Sequence, residues 1–562
     1  MIRPERLRGV SLFLALFFLL VVGRLFYLQI WKHQDYQALS QQQLWQEDTQ
    51  PAKRGSITDR NGILLAATVA APTAYIDCAE IKDPQTAAAQ IAAALNLKPD
   101  AVYEKIKNQR HTIPLKRRLS EQEEQNLKAL RLRGVYFTDD QRRVYLRGNL
   151  AAHVLGFVNF DNQGAAGLEY LLDRYLQGIP GKLLFEKDVR GQELYLSNRV
   201  VVEPRDGDNI QLTIDEFLQY TARKYLAAAL QETRADSGSA LIMDTRSGQI
   251  LALVSLPDYD PNQYFKYPAA NLRNNAAGFN YEPGSVFKII TVAAALELGL
   301  ATPNTTFING NVFEHAKRQI RESHPLPDPE RPRYLKDILI ESLNITSAKL
   351  ALAIGKNRMQ DFMRRFRLHQ RSGILPGEEA GLLAPPDKVD AHSEAVYGFG
   401  QAFSVTPLQM LAAVNVIAND GVYVQPSLVQ KIYDNKGDVL KDFALRPEKQ
   451  RIISPQTARA IRLMLQETVQ KGTAALAGIP GYSIGGKTGT SQKARPRGGG
   501  YYANDYISSF CGLVPGLKPR LTILVVIDNP RNRQYHGGYV AAPVFREIAR
   551  EAVRYLAIPE DM

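Results

Sequence analysis

A serine and a lysine stand three residues apart at the start of an apolar run, in EPGSVFKIITVAAALELG at residues 282–299. Apolar residues recur at helical spacing from 286 to 298, directly after a Pro-Gly pair. Ser285 is therefore predicted at a helix N-terminus, with Lys288 on the same face. A hydroxyl within reach of an amine can become a nucleophile. The pair alone is weak evidence, because a chain of this length contains about two Ser-x-x-Lys matches by chance and Ser285 would also serve as an ordinary helix cap.

Two more polar clusters follow Ser285 in the second half of the chain. They are Ser342-Leu343-Asn344 and Lys487-Thr488-Gly489-Thr490. Taken singly, the first could be polar groups of a helix or loop, and it overlaps an Asn-Ile-Thr glycosylation acceptor. The second could be the exposed end of a strand. Their order after the Ser-x-x-Lys pair is what gives them weight.

The three clusters have the order and content of the Ser-x-x-Lys, Ser-x-Asn and Lys-Thr-Gly motifs, which the chain shares with penicillin-recognising serine enzymes. RGSITDRNGILLA resembles the opening of the stalk in class B penicillin-binding proteins, and HVLGFVNFDNQGAAGLEYLLDRYLQGIPGK resembles a later stalk block. ALIMDTRSGQILALVSLPDYDPN, YGFGQAFSVTPLQMLAAVNVIANDG and YHGGYVAAPVFREI are similar to hallmarks of the transpeptidase domain. The Ala-Ala-Pro-Val-Phe ending is most like the division-specific FtsI type, with the elongation-specific type as the alternative.

This resemblance implies a peptidoglycan D,D-transpeptidase that acts on stem peptides ending in D-Ala-D-Ala. Ser285 would attack the penultimate carbonyl, D-Ala would leave, and an amine of a neighbouring stem peptide would take the acyl group. Lys288 serves as base only if its pKa is lowered by burial or by a nearby cation such as Lys487. Ser342 fits a proton relay, and Asn344 would hold the lysine and the substrate amide.

The Lys-Thr-Gly segment is expected to bind the other end of the donor. Lys487, Thr488 and Thr490 would hold the terminal carboxylate, which requires a positive charge and hydroxyl donors. Gly489 would let the strand approach the substrate closely. By analogy with the family, the backbone N–H groups of Ser285 and Thr490 would face the oxyanion. A β-lactam would mimic the donor and acylate Ser285.

Three positions depart from the family pattern. Leu343 is bulkier than the usual middle residue of its motif, the segment 145–148 lacks a common proline, and His536 stands where a second aromatic residue often follows Tyr535. These departures concern substrate and antibiotic preference and leave the reaction class unchanged.

The N-terminus predicts a membrane anchor. Residues 10–30 are long and apolar enough to cross a bilayer, and Arg3, Arg6 and Arg8 before them predict that the first residues stay in the cytoplasm. A cleaved signal peptide is the alternative, but no small-x-small cleavage site follows. Arg24 would reach the outer interface or contact a partner helix.

The chain is divided into five segments: a cytoplasmic tail at 1–9, a transmembrane anchor at 10–31, a linker at 32–50, an elongated stalk or pedestal domain at 51–205, and a transpeptidase domain at 206–562. Hairpins are expected around 59–62 and 244–248, and helices at 216–232 and near the C-terminus. The expected class is α+β, with a central antiparallel sheet flanked by helices.

Composition excludes several classes of function. The net charge is +12, but the basic residues are scattered, without the array that nucleic-acid binding requires. Cys78 and Cys511 form no disulfide framework and are expected to be free thiols. The eight histidines show no HExxH motif, so no metal and no cofactor is expected.

Sequence features also restrict the partners and the rival functions. No glycosyltransferase signature is present, which predicts a membrane glycosyltransferase partner of the FtsW type among other division proteins. The expected location is the bacterial inner membrane at the septum, with one span and the bulk in the periplasm. A β-lactamase lacks support because no deacylating glutamate motif is recognisable. A D-Ala-D-Ala carboxypeptidase, a β-lactam sensor and a non-catalytic scaffold stay open.

Overall fold

The computed structural model describes residues 4–37, 45–186, 199–443, 448–495, 500–532 and 534–562. The chain divides into two compact units. One contains residues 1–53 and 178–206, and the other contains residues 54–177 and 207–562. The predicted stalk, 51–205, is thus distributed over both units, and its boundaries stay a prediction.

The first unit carries the apolar helix. The helix Pro4–Phe26 continues into a wider turn at Tyr27–Trp31, and the stretch Arg8–Trp31 is long and apolar enough to cross a membrane. Arg24 places its guanidinium 5.3 Å from the ring centre of Tyr27, one turn away. The same unit contains an antiparallel sheet with the strand order Trp45–Gln50, Gly181–Glu186, Arg199–Val202. Arg3 and the middle of the predicted linker lie outside the described residues.

The second unit begins with a sheet that combines early and late segments. Its strand order is Val439–Asp442, Val429–Tyr433, Asn209–Leu212, Ile57–Thr58, Leu64–Ala70, Gln141–Tyr145. The turn at 59–62 forms the predicted hairpin, because Asp59 caps the N–H groups of Asn61 and Ile63, each at 2.8 Å. A smaller sheet has the order Thr112–Lys116, Thr73–Asp77, Val135–Thr138 and packs against the helices Pro84–Leu95, Pro99–Ile106 and Glu121–Ala129.

A buried ion network joins the early segments of this unit. Glu169 accepts from Arg54 Nε and from Arg143 Nε, both at 2.6 Å, and Arg54 Nη1 lies 2.6 Å from Asp173. Arg54, Arg143 and Glu169 are almost completely buried. A buried guanidinium without a counter-charge is strongly destabilising, so these groups fix one arrangement of the segments that carry them.

The central sheet of the second unit is antiparallel, as predicted, and has five strands. Its order is Ile250–Leu256, Ser237–Asp244, Leu521–Asp528, Tyr501–Val514, Gly485–Ala494. Alternate residues of the strand Leu521–Asp528 point to opposite faces of the sheet, and each face packs in its own hydrophobic cluster. Ile523 and Val525 belong to one cluster, and Leu524 and Val526 belong to the other. Both faces of the sheet are therefore covered.

Helices form the two outer layers. Glu216–Thr233 and Gly537–Tyr555 cover one face, and Lys288–Glu297, Pro407–Ala418 and Pro455–Lys471 cover the other. Around the second layer lie the helices Asp337–Ile340, Asn344–Ile354, Lys356–Arg365 and Ala391–Tyr397 and the hairpin Val312–His315/Arg318–Arg321. Cys78 and Cys511 are free and buried, as expected, and burial raises the pKa of the Cys511 thiol.

Candidate active site

Ser285 lies in the turn that begins the central helix. The short turn Gly284–Phe287 leads directly into the helix Lys288–Glu297, which confirms the predicted N-terminal position. Gly284 has a φ of 55°, and its N–H donates to the Gly400 carbonyl at 3.0 Å. A Cβ on Gly400 would lie 2.2 Å from the Gly284 oxygen. The two glycines thus let the backbone of the YGFGQ segment pack closely against the turn that carries Ser285.

Lys288 is fully buried at the base of this turn. Its amine donates to the Ser342 carbonyl at 2.6 Å, to Ser342 Oγ at 3.2 Å and to Asn344 Oδ1 at 2.8 Å. Among the described residues, the Ser285 hydroxyl is not one of its acceptors. Helical spacing placed the lysine on the correct face, but the amine is held by the second motif.

Ser342 connects the two lysines. Its hydroxyl oxygen also accepts from Lys487 Nζ at 3.0 Å. The residue has a φ of 60°, in the left-handed region that side-chain-bearing residues rarely adopt. This conformation presents both the carbonyl and the hydroxyl of one residue to Lys288. Because the oxygen accepts from two amines, its own proton is directed elsewhere.

Glu341 supports the loop that holds Ser342. Its carboxylate lies 2.8 Å from Nε of the buried Arg333 and also pairs with Arg331. Neither arginine stands out in the sequence, because nothing in its spacing connects it with the motif residues.

Asn344 begins the helix Asn344–Ile354. Its Nδ2 donates to the Arg321 carbonyl at 3.1 Å, which leaves Oδ1 for the lysine. Since the Arg321 carbonyl can only accept, this orientation of the amide is the one that the contacts require. Glu322 accepts from the N–H groups of Asn344 and Ile345, both at 2.8 Å, and so caps the helix. Sequence reasoning missed Glu322, which lies 22 residues before Asn344.

Burial changes the protonation of both lysines. It lowers the pKa of Lys288 to about 7, and the nearby Glu322 carboxylate opposes this shift. Burial also lowers the pKa of Lys487 well below its usual range, and the charge of Lys288 lowers it further. Two buried amines that share one hydroxyl favour states in which at least one of them is neutral. A neutral amine near neutral pH is what a general base requires.

The third motif lies on the strand Gly485–Ala494 at the edge of the central sheet. Thr488 and Thr490 line the cleft together with Ser285 and Ser342. Thr490 Oγ1 accepts from the N–H of Gly537 at 3.0 Å, which ties the strand to the start of the C-terminal helix.

Gly489 is closely surrounded by protein atoms where a side chain would lie. A Cβ there would lie 2.3 Å from Ser509 Oγ and 3.0 Å from both the Pro283 oxygen and Val286 Cγ2. The space is therefore filled by protein, and the glycine lets the strand pack against the turn that carries Ser285.

The cleft above these residues has a volume of about 560 Å³. Its wall includes Tyr506 and Tyr535, whose rings stack with their centres 3.9 Å apart. It also includes His324 and His536, whose ring centres are 5.1 Å apart. His536 was noted in the sequence, whereas His324 was missed. Within the described parts of the chain, no group of three or more histidine, cysteine or acidic side chains is arranged to hold a metal ion.

Two protein families match parts of the chain. "Penicillin binding protein transpeptidase domain" matches residues 238–550, and "Penicillin-binding Protein dimerisation domain" matches residues 49–212. The first range contains Ser285 and both later motifs.

Known proteins match over almost the whole chain. Stage V sporulation protein D of Bacillus subtilis is 33% identical over 99% of this chain and 86% of its own length. Peptidoglycan D,D-transpeptidase FtsI of Escherichia coli is 31% identical over 98% of this chain and 91% of its own length. Among solved structures, penicillin binding protein 3 from Mycobacterium tuberculosis, complexed with aztreonam, superimposes with a TM-score of 0.72 at 29% identity, covering 92% of this chain and 98% of that one.

Proposed function

This chain belongs to the class B penicillin-binding proteins, and on that basis we propose that Ser285 is the nucleophile of its peptidoglycan D,D-transpeptidase reaction. We also propose that the enzyme works at the division septum. The protein is a serine-type D-Ala-D-Ala transpeptidase, and the cleft takes peptidoglycan stem peptides and β-lactams. The assignment of the residues is carried by one observation: Ser342 Oγ lies 3.2 Å from the Lys288 amine and 3.0 Å from the Lys487 amine in a cleft that Ser285 also lines.

Acylation starts with neutral Lys288. As Ser285 Oγ bonds to the carbonyl carbon of the penultimate D-Ala, its proton passes to Nζ of Lys288. This transfer requires Ser285 Oγ and Lys288 Nζ to come within hydrogen-bond distance when the donor is bound, since catalytic hydrogen bonds commonly form only in the substrate complex. Asn344 holds the lysine through Oδ1 throughout.

Ser342 returns this proton to the leaving group. Its own hydroxyl proton moves to the nitrogen of the terminal D-Ala as the carbon–nitrogen bond breaks, and an N–H of the Lys288 ammonium replaces it. The acceptor amine then attacks the ester carbonyl and loses its proton along the reverse path, which frees Ser285. Each half-reaction leaves both lysines as they began.

The strand Gly485–Ala494 binds the end of the donor. Thr488 and Thr490 donate to its carboxylate, and Lys487 supplies the charge. Because an adjacent anion favours the protonated amine, the donor itself raises the pKa of Lys487. The N–H groups of Ser285 and Thr490 face the oxyanion, and the loss of one such donor typically costs about 3 kcal/mol in the transition state.

A cross-linking assay tests the reaction. The purified full chain is given donor glycopeptide with and without an acceptor amine, with β-lactam-treated enzyme as the control. We expect cross-linked dimer that disappears after β-lactam treatment. Release of free tetrapeptide only, in the presence of acceptor, would identify a carboxypeptidase instead.

The septal role is proposed from the C-terminal part of the chain. The helix Gly537–Tyr555 contains the Ala-Ala-Pro-Val-Phe segment. Similarity to Escherichia coli FtsI supports the same branch. Depletion in the native host is the test: filamentous cells are expected, whereas rounded, swollen cells would favour the elongation-specific role.

A membrane glycosyltransferase of the FtsW type is the proposed partner, with the apolar helix Pro4–Phe26 as one contact and the stalk as another. From Val10 to Phe26 the helix exposes large apolar side chains, as a helix packed against lipid and other membrane helices requires. Replacement of this helix by an unrelated transmembrane helix is expected to weaken co-purification. Retention of complex and division, also after scrambling exposed stalk residues, would contradict the proposal.

A further inference from the structure

A second cavity, of about 440 Å³, lies in the larger compact unit. It is bordered by the strand Gln141–Tyr145, by residues 117–118 and 158–160, and by the short helix Pro261–Lys266. None of its lining residues belongs to the cleft that contains Ser285. The mechanism above makes no use of it.

The cavity is strongly cationic. Four arginines line it, and no aspartate or glutamate does: Arg117, Arg118, Arg142 and Arg143. Arg117 and Arg118 share Asp140, at 3.6 and 3.7 Å, and Arg117 Nη1 also lies 3.8 Å from Asp161, distances too long for a hydrogen bond. Arg142 is exposed and forms no ion pair with any residue that the structure describes. The guanidinium groups therefore keep N–H donors for an anion.

Buried donors in the lining still lack an acceptor. Arg143 is only 4% exposed, and it uses Nε on Glu169 and Nη1 on the Gly55 carbonyl. Its Nη2 has no hydrogen-bond partner among the described residues, and the same is true of Arg118 Nε. These two atoms are buried from solvent, so they lie beside the cavity without opening into it. The guanidinium groups that a carboxylate in the cavity reaches are the exposed ones of Arg117 and Arg142.

Aromatic rings form the other part of the lining. Phe160 and Phe265 are 68% and 65% exposed, and Tyr264 stacks on Phe157 at 3.8 Å. The wall is rigid, because Asn262 exchanges two hydrogen bonds of 3.0 Å with the backbone of Tyr145. Exposed rings beside arginines favour a ligand with both an apolar face and an anionic group.

We propose that this cavity binds a carboxylate-bearing glycopeptide segment of the peptidoglycan strand, outside the catalytic cleft. The proposal rests on the proposed function, because the polymer that reaches the cleft carries sugar rings and peptide carboxylates at every repeat. The C–H faces of a sugar ring pack on Phe160 and Phe265, and the carboxylate pairs with the exposed Arg117 and Arg142. A second contact with the same polymer raises the local concentration of stem peptides at Ser285.

The test uses the full chain in detergent after acylation with penicillin, which blocks the catalytic cleft. Disaccharide tetrapeptide released from peptidoglycan is titrated by calorimetry. We expect saturable binding that Arg142→Glu weakens about tenfold, the effect of losing one charge-assisted contact. Arg133→Glu is the matched control, because Arg133 is exposed in the same part of the chain and lines neither cavity. Fluorescent penicillin labelling shows that both variants are folded.

Three results would overturn the proposal. They are the absence of saturable binding, an equal loss in Arg142→Glu and Arg133→Glu, and equally tight binding of an acidic peptide without sugar, which would identify a protein-docking surface instead. Failure of penicillin to acylate the chain would count against the proposed function only. The comparison of the two arginine variants on unmodified protein would then still decide the role of the cavity.

Discussion

At the scale of single residues, the site depends on how two lysines are kept partly neutral. Residue type and motif order predicted Ser285, Lys288, Ser342 and Lys487 as site residues, and in the structure Ser342 contacts both lysines. The protonation of the two lysines was not predictable. It follows from their complete burial and, for Lys288, also from Glu322, which lies on a distant segment. Glu322 and Glu341 were not identifiable from the sequence, since both act through contacts between segments that have no fixed spacing.

The pH dependence of acylation follows from Lys288. Its pKa is lowered to about 7, and the neutral form is the base. The rate constant for acylation by penicillin should therefore be low at pH 5, rise through about pH 7 and level off above pH 8. Stopped-flow or quenched labelling with a fluorescent penicillin measures it. A rate that is constant from pH 5 to 9 would contradict Lys288 as the base.

Glu322→Gln should move this profile. The carboxylate raises the pKa of Lys288, so its removal lowers that pKa, and the midpoint of the acylation profile should shift to lower pH. The helix Asn344–Ile354 also loses part of its cap, at a cost of about 1 kcal/mol in the free energy of unfolding. Glu330→Gln is the control, because Glu330 is exposed. Loss of stability with an unchanged midpoint would assign Glu322 a purely structural role.

At the scale of elements, the sequence predicted the helix that carries Ser285 and several hairpins. The turn at 244–248 joins Ser237–Asp244 to Ile250–Leu256, and the helix expected at 216–232 is Glu216–Thr233. The left-handed conformation of Ser342 was not predictable, since serine does not favour it and tertiary contacts impose it. The close packing of other residues around Gly489 was also not predictable, because these neighbours are remote in sequence.

Gly489→Ala tests the packing of the strand against the serine turn. The added Cβ would lie 2.3 Å from Ser509 Oγ and 3.0 Å from the Pro283 oxygen, so the strand must move away from Ser285. We expect acylation to fall by about 100-fold, as for a small misplacement of catalytic groups. In the double variant with Ser509→Ala, recovery should be partial, because the Pro283 contact persists.

Gly478→Ala provides the control for this substitution. Its Cβ would meet nothing closer than 3.4 Å, so its acylation rate should match the unmodified chain. Normal acylation of Gly489→Ala by penicillin would show that the strand does not need this close approach.

At the scale of the whole molecule, the family motifs predicted the fold class and the N-terminal helix of the chain. They did not predict the boundaries of its two compact units. The central sheet and its helices agree with the expected α+β class, and the anchor helix is present. The division of residues 51–205 was not predictable, because Arg54 near its start is bound to Glu169 and Asp173 more than a hundred residues later. Such pairing depends on the complete fold.

Glu169→Gln should destabilise the larger unit strongly. It leaves Arg54 and Arg143 buried without the carboxylate that lies 2.6 Å from each. Removal of one partner from a buried ion network typically costs about 3–5 kcal/mol, which should appear as a lower melting temperature of the full chain in detergent. Glu104→Gln, at an exposed pair with Lys107, should change little. Equal melting temperatures for the two variants would refute this role of the network.

The most direct test of the central claim is the intact mass of the purified chain with and without penicillin, for the unmodified protein and for Ser285→Ala. We expect one stable adduct on the unmodified protein and none on the folded variant. The absence of an adduct on folded, unmodified protein, or an adduct of equal yield on Ser285→Ala, would contradict the assignment of Ser285 as the nucleophile.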